Sequence, residues 1–464
     1  MGILSTLSLA AQALKAHQLA IQTTGHNLAN AATPGFSRQR VDLVSEVPSF
    51  SGGVLIGQGV DVAGVTSIID HFAEAELLSL NSDVGYSDAQ SRALNSVQEA
   101  IPISGGVNGA LSELFSALSD LSNNPAGTTE RIGVIAKARA LGENLSQTRQ
   151  ILTSLQSNLD SDIQSAVQRV NNLTEQIAGL NQKIFVTETG RETANDFRDQ
   201  RQTLLQELTN LTGATAREDS KQLTVTIGGL LLVGGARFAT FDSDAVNPNG
   251  LHSVTYRGPD GSSFDASALI TSGKIGSVLA ARDGQVQDVI DRLDLFAQTL
   301  VTQFNTQHAL GFTLTGVAGG NLFTPIAATA GASANVEVDA ALAADPRLVA
   351  AAASATAVPG DNRNALALIG LRSTNVAALG GVTLEDNFLT LVGDVGARAQ
   401  AAQSRADFQK TLLTNTQARR ESTSGVNIDE EMVKLIQFQR AFESSSLMVR
   451  TADEMYQTLI EMVR

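Results

Sequence analysis

The feature that most constrains this chain is a set of long apolar seams at helical spacing, one at each end and one inside. Ile3, Leu7, Ala10, Leu14, His17, Ile21, Thr24 and Leu28 recur at alternating steps of four and three, the stripe of an amphipathic helix. It stops before Pro34-Gly35, a helix-breaking pair. At the other end Leu435, Phe438, Phe442, Ser445, Val449, Ala452, Tyr456, Leu459 and Val463 keep the same rhythm. Inside, Leu141, Leu145, Thr148, Leu152, Leu155, Leu159, Ile163, Ala166, Val170, Leu173, Ile177, Leu180 and Ile184 form a third seam. A helix from Ala138 to Ile184 is about 70 Å long at 1.5 Å per residue. Such a rod implies an elongated molecule.

The stretch between the seams changes character. Residues 34 to 66, with Gly52-Gly53, Gly57 and Gly59 punctuating short apolar runs, read as loop and strand. Leu223, Val225 and Ile227 alternate with threonines, and Gly228-Gly229 turns the chain into Leu230 to Val233, a hairpin pattern. Pro259-Asp260-Gly261 marks another turn. Residues 217–273 are therefore expected to form a small β-rich insertion. Helical spacing returns from Leu279 to Phe304, residues 311–360 are irregular and alanine-rich, and a helix is expected from about Glu385 to Arg420.

The last helix has a legible start. Asn427 is a plausible N-cap, and Asp429, Glu430 and Glu431 place solvated negative charge where the helix dipole favours it. Met448, Met455 and Met462 flank its seam and widen the apolar face. Each large apolar side chain contributes about 1.5–3 kcal/mol when buried, so the terminal helices are expected to pair with each other. The expected fold is mainly α with a small β-rich insertion, elongated and nested. Residues 1–66 with 424–464 form a coiled-coil-like terminal unit, 67–216 with 274–423 an inner helical bundle, and 217–273 an outer insertion. The apolar surface left over at Leu7, Leu14, Ile21, Leu28, Leu435, Phe438, Phe442, Val449, Tyr456, Leu459 and Val463 is the candidate interface for sister subunits.

Composition narrows the function. With 32 Lys plus Arg against 47 Asp plus Glu, the net charge is -15, which disfavours nucleic acid and anionic membrane surfaces as partners. No cysteine is present, so disulfides and thiol chemistry are excluded. The five histidines, His17, His26, His71, His252 and His308, include no pair at metal-ligand spacing, and His17 sits on the first seam. Asp242, Asp244, Asn247 and Asn249 resemble a calcium loop, but Val246 and Asn247 occupy positions where the loop needs a ligand and a glycine. No phosphate loop, dinucleotide fingerprint or nucleophile elbow is present. The expectation is a non-enzymatic protein without cofactor or metal. The apolar run from Ile326 to Val358 is interrupted by Glu337, Asp339, Asp345 and Arg347, so neither a membrane span nor a cleaved secretory signal is expected.

Two end motifs carry a family resemblance. Ala29-Asn30-Ala31-Ala32-Thr33-Pro34-Gly35-Phe36-Ser37-Arg38-Gln39 resembles the N-terminal signature of bacterial flagellar axial proteins. Its Ser37-Arg38-Gln39 ending is most similar to the hook-associated branch. Ser424-Gly425-Val426-Asn427-Ile428-Asp429-Glu430-Glu431, followed by Phe438-Gln439-Arg440-Ala441-Phe442, resembles the matching C-terminal signature. Phe36 and Phe442 stand where tyrosine is usual. The resemblance implies a structural ring subunit at the junction between hook and filament. It further implies contacts with its own copies, the hook protein and hook-associated protein 3. Export through the flagellar type III apparatus without a cleaved signal, and a cytosolic chaperone on the C-terminal helix, are implied too. Another flagellar axial subunit, of hook or rod, and an intracellular coiled-coil adaptor stay open as alternatives.

Overall fold

The computed structural model describes residues 3–51, 54–190, 192–219, 222–247 and 249–463, the side chains of residues 3, 4, 51, 54 and 463 excepted. Gly52-Gly53 and the side chains of Ile3 and Val463, named above, thus lie outside the described residues. The first seam forms α1 (Ile3–Ala29). Strands β1 (Gln39–Ser45), β2 (Ser49–Ser51), β3 (Val54–Ile56) and β4 (Val60–Ser67) follow. They pair as two antiparallel ribbons, β1 with β4 and β2 with β3. In the larger ribbon Gln39 stands opposite Ser67 and Val41 opposite Val65, with a bulge between Asp42 and Leu43.

The inner helices begin with α2 (His71–Ala100), whose first turn is capped by the Asp70 carboxylate accepting from the Phe72 and Ala73 N–H groups. Helices α3 (Gly106–Asn123), α4 (Thr128–Thr187) and α5 (Asn195–Thr212) complete this half. The rod is longer than its seam foretold: α4 has 60 residues, or about 90 Å, and its first turns, ahead of the seam, already bury Val134 and Ile135. Leu141, Leu145, Leu152, Leu159, Ile163, Val170, Leu173, Ile177 and Ile184 are all buried.

The β-rich part forms two sheets. One is the meander β5 (Thr215–Asp219), β6 (Gln222–Ile227), β7 (Leu230–Gly234) and β8 (Arg237–Phe238). The other joins β9 (Thr240–Asp242), β10 (Thr255–Arg257) and β11 (Ser263–Asp265). The β6–β7 turn uses Gly228 and Gly229 at φ of +53° and +85°, a conformation that side chains resist. Val225, Leu232, Phe241 and Tyr256 join the same apolar core as the helices. Asn171 and Asn181 of α4 bond the sheet backbone at Phe241 and Gly235. The insertion therefore lies against the rod.

The chain then returns through α6 (Gly273–Ala280), a π turn at Ala281–Val286, and α7 (Gln287–Ala309). After irregular backbone with the short α8 (Ala340–Ala344) and α9 (Arg363–Gly370), the long α10 (Leu384–Ser424) runs back along α2. Ser91 bonds Gln403 and Lys410 bonds Asp88, so the two are antiparallel. Finally α11 (Ile428–Val463) packs antiparallel to α1. The molecule is mainly helical, with its two ends paired. No helix among the described residues is long and apolar enough to cross a membrane.

Candidate functional site

The two end motifs converge on one joint between the terminal helix pair and the inner bundle. The turn after α1 brings Gly35 to a φ of +82°, and a Cβ there would stand 2.5 Å from the Thr203 Oγ1 of α5. The Ser37 N–H donates to Asp199 Oδ2 at 2.8 Å. The Arg420 guanidinium, in the last turns of α10, donates to the Gly35 carbonyl at 2.9 Å and to Ser37 Oγ at 3.1 Å, and it pairs with Glu74 of α2 at 2.8 Å. Burial pushes the Asp199 carboxyl up to about 6, outweighing the Ser37 N–H bond and the nearby Arg420 charge.

The strands between the units are tied at Ser424. Its carbonyl accepts from the Arg38 N–H at 2.8 Å and its hydroxyl from the Asp70 N–H at 3.2 Å. Gly425 follows because a Cβ there would meet the Glu421 carbonyl at 2.3 Å. Asn427 does cap α11, its side-chain oxygen accepting from the Asp429 and Glu430 N–H groups at 3.0 and 3.3 Å. Arg38 Nη1 donates to Glu430 at 2.8 Å. Glu431 departs from the expectation of a solvated helix start: it is 1% exposed, accepting from Asn27 at 2.9 Å and pairing with Lys434. Asn27 of α1, off the expected seam, supplies the polar partner that makes its burial tolerable.

On the opposite side of the joint, Asp196 Oδ1 accepts from Gln39 Nε2 at 2.7 Å and contacts His26 Nε2 at 3.2 Å. A cleft of about 680 Å³ lies here, lined among others by Asn30, Thr33, Pro34, Gly35 and Phe36. The expected motif residues Asn30, Thr33, Pro34, Gly35, Phe36, Ser37, Arg38, Gln39, Gly425, Asn427 and Glu430 thus meet at or beside the joint, with exposed Asp429 in the first turn of α11. Asn27, Glu74, Asp196, Asp199, Arg420 and Ser424 complete it. Sequence spacing could not find the Glu74–Arg420 pair, whose members are 346 residues apart.

The expected interface residues are placed unevenly. Leu14, Ile21, Leu28, Leu435, Phe438, Phe442 and Val449 are half-buried, while Leu7, Tyr456 and Leu459 are exposed. The most buried side chains of α1 are small ones, Ala10, Ala16, Ala20, Thr23, Thr24 and Asn27. Its inner face is thus turned by roughly a quarter from the expected stripe, at 100° per residue. Small residues let the neighbouring backbone come close, and that favours them over the leucines. His17 is half-buried, and its Nδ1 has no hydrogen-bond partner among the described residues. Along α11 two groups of apolar side chains are exposed, Ile428, Met432, Val433 and Ile436, then Leu447, Met448, Met455, Leu459, Ile460 and Met462, the last 72% exposed.

Comparison with known proteins agrees with this architecture. Residues 95–323 match the family described as "Flagellar hook-associated protein FlgK helical domain". Residues 418–462, the stretch from the joint through α11, match "Flagellar basal body rod FlgEFG protein C-terminal". The chain is 28% identical to flagellar hook-associated protein 1 of Bacillus subtilis (strain 168), over 98% of this chain and 97% of that one. It is 23% identical to flagellar hook-associated protein 1 of Escherichia coli (strain K12), over 98% and 99% of the two chains. The solved flagellar hook junction protein FlgK from Burkholderia pseudomallei shares the fold. That alignment has a TM-score of 0.68 at 16% identity, over 75% of this chain and all of that one. Its central helical domain and its end-to-end likeness separate the chain from hook and rod subunits and from coiled-coil adaptors, and it belongs to the flagellar hook-associated protein FlgK family.

Proposed function

We propose that this chain is the structural subunit that joins hook to filament, and that it does so by axial packing of α1 and α11 within a ring of its own copies. Its neighbours along the axis are the hook protein on one side and hook-associated protein 3 on the other. Export proceeds through the flagellar type III apparatus without a cleaved signal, with a chaperone holding α11 beforehand. The division into residues 1–66 with 424–464, 67–216 with 274–423, and 217–273 assigns assembly to the first unit and spacing to the second. The role is mechanical, without catalysis or cofactor.

One observation carries this proposal: α11 keeps ten large apolar side chains exposed, in one group near its start and one along its second half. A monomer seldom exposes so much without a partner. Ile436→Asp and Met448→Asp change these groups without touching the α1 seam. Either variant, replacing the natural protein in its own cells, should lose incorporation at the junction and shed filaments. Normal filament number in both would overturn the proposal.

A further inference from the structure

Among the described residues, the terminal unit and the inner bundle share no buried apolar cluster. The large buried cluster runs from Ala89 to Val395 and includes no residue of α1, of β1 to β4 or of α11. The hydrogen bonds and ion pairs that cross the joint fall into two groups of unequal strength. Around Ser424 the contacts are buried: Arg38 N–H and Asp70 N–H on Ser424, and Arg420 on Glu74, Gly35 and Ser37. Both places where the chain passes between the units, residues 67–70 and 424–427, are held at this point.

The second group lies at the start of α5, where the buried Asn195 donates to the Val65 carbonyl at 2.8 Å and its neighbour Asp196 stands in the open. Asp196, 55% exposed, accepts from His26, 40% exposed, and from Gln39. Both Asp196 and His26 also line two clefts. One is the 680 Å³ cleft beside the Thr33–Phe36 turn. The other, about 410 Å³, lies between Gln22, Gln39 and Val65 on one wall and Thr193, Asn195 and Phe197 on the other. Asp196 therefore stands as a pillar between two voids.

Breaking a buried ion pair is far more costly than breaking an exposed one. We infer that the terminal unit tilts on the inner bundle about Ser424, with the Asp196 contacts to His26 and Gln39 acting as a releasable latch. Release, with loss of the single Asn195–Val65 hydrogen bond beside it, lets the two clefts open while the Arg420 cluster holds the pivot. Hinges of this kind absorb motion at a few element-terminal residues, as the Ser424–Asn427 stretch does here.

The chain lacks cysteine, so spin labels can be placed cleanly at the exposed positions Asn172→Cys and Ser446→Cys. Pulsed dipolar spectroscopy on the full chain then reads the distance between the two units. Asp196→Ala should broaden and lengthen the distribution, and Gln39→Ala, which removes one latch bond, should do so less. Hydrogen exchange at the Arg38 and Asp70 amides should stay slow in both. Unchanged distance distributions in both variants would overturn the latch. Rapid exchange at Arg38 and Asp70 in a variant whose helix content is intact would overturn the pivot.

Discussion

Arg420, at the end of α10, and Glu74, in the first turn of α2, form a buried ion pair with N···O at 2.8 Å and each side chain 11% exposed. The pair is doubly anchored. Glu74 Oε2 also accepts from Gln202 at 2.8 Å, while Arg420 reaches Gly35 and Ser37. Four segments remote in sequence are thus fixed by two side chains.

Removing one member strands the other charge. Glu74→Ala or Arg420→Ala should each destabilise the protein by about 3–5 kcal/mol. The double variant Glu74→Leu/Arg420→Met should lose less than either single change. Denaturant unfolding checks the order; a double variant weaker than both singles would contradict it.

Asn27 makes the burial of Glu431 tolerable. Asn27→Ala leaves that carboxylate with Lys434 and the more distant Arg38 and should weaken the pairing of α1 with α11 by about 1–3 kcal/mol. Faster amide exchange in the last turns of α1 and the first turns of α11, with the inner helices unaffected, is the expected signature.

Asp199 should give stability a distinct pH dependence. Its folded pKa of about 6 lies above the ordinary 3.8, so between these values the folded state binds the extra proton. Its contribution is therefore full below about pH 4, falls as pH rises through about 6, and is flat beyond. Asp199→Asn should gain stability relative to the parent as pH goes from 4 to 7. Parallel melting curves for the two across that range would refute this.

His308 runs the other way. It is buried, with Nδ1 on the Gly320 carbonyl at 2.7 Å and Nε2 accepting from the Ala350 N–H at 2.9 Å. Burial drives its pKa below the ordinary 6.5. The neutral ring's contribution is present above pH 6.5 and is lost as pH falls toward the folded value. In a histidine-labelled sample its ring signal, assigned by its absence in His308→Asn, should move to the charged position at a lower pH than that of an exposed histidine.

Gly35 tests the turn itself. Gly35→Ala must place a side chain at positive φ and against Thr203, a strain of about 1–3 kcal/mol. Thr203→Ala should recover part of the loss in the double variant, measured by thermal unfolding.

By itself the sequence determined the long helices, the β-rich insertion and the pairing of the two ends. Those follow from periodicity, since a residue's place on a helix face or strand is fixed by spacing along the chain. The N-cap at Asn427 and the turns at Gly228-Gly229 and Pro259-Asp260-Gly261 are local in the same way. The tertiary structure alone decided which stripe of α1 faces inward. Close approach of α11 selects Ala16, Ala20 and Asn27 over Leu14 and Leu28, and that depends on a neighbour more than 400 residues away. It also decided that Glu431 is buried, that Glu74 finds Arg420, and that the two end motifs build one joint. Pairings of charge across hundreds of residues leave no periodic trace in a single chain, because they depend on where the backbone brings the groups together.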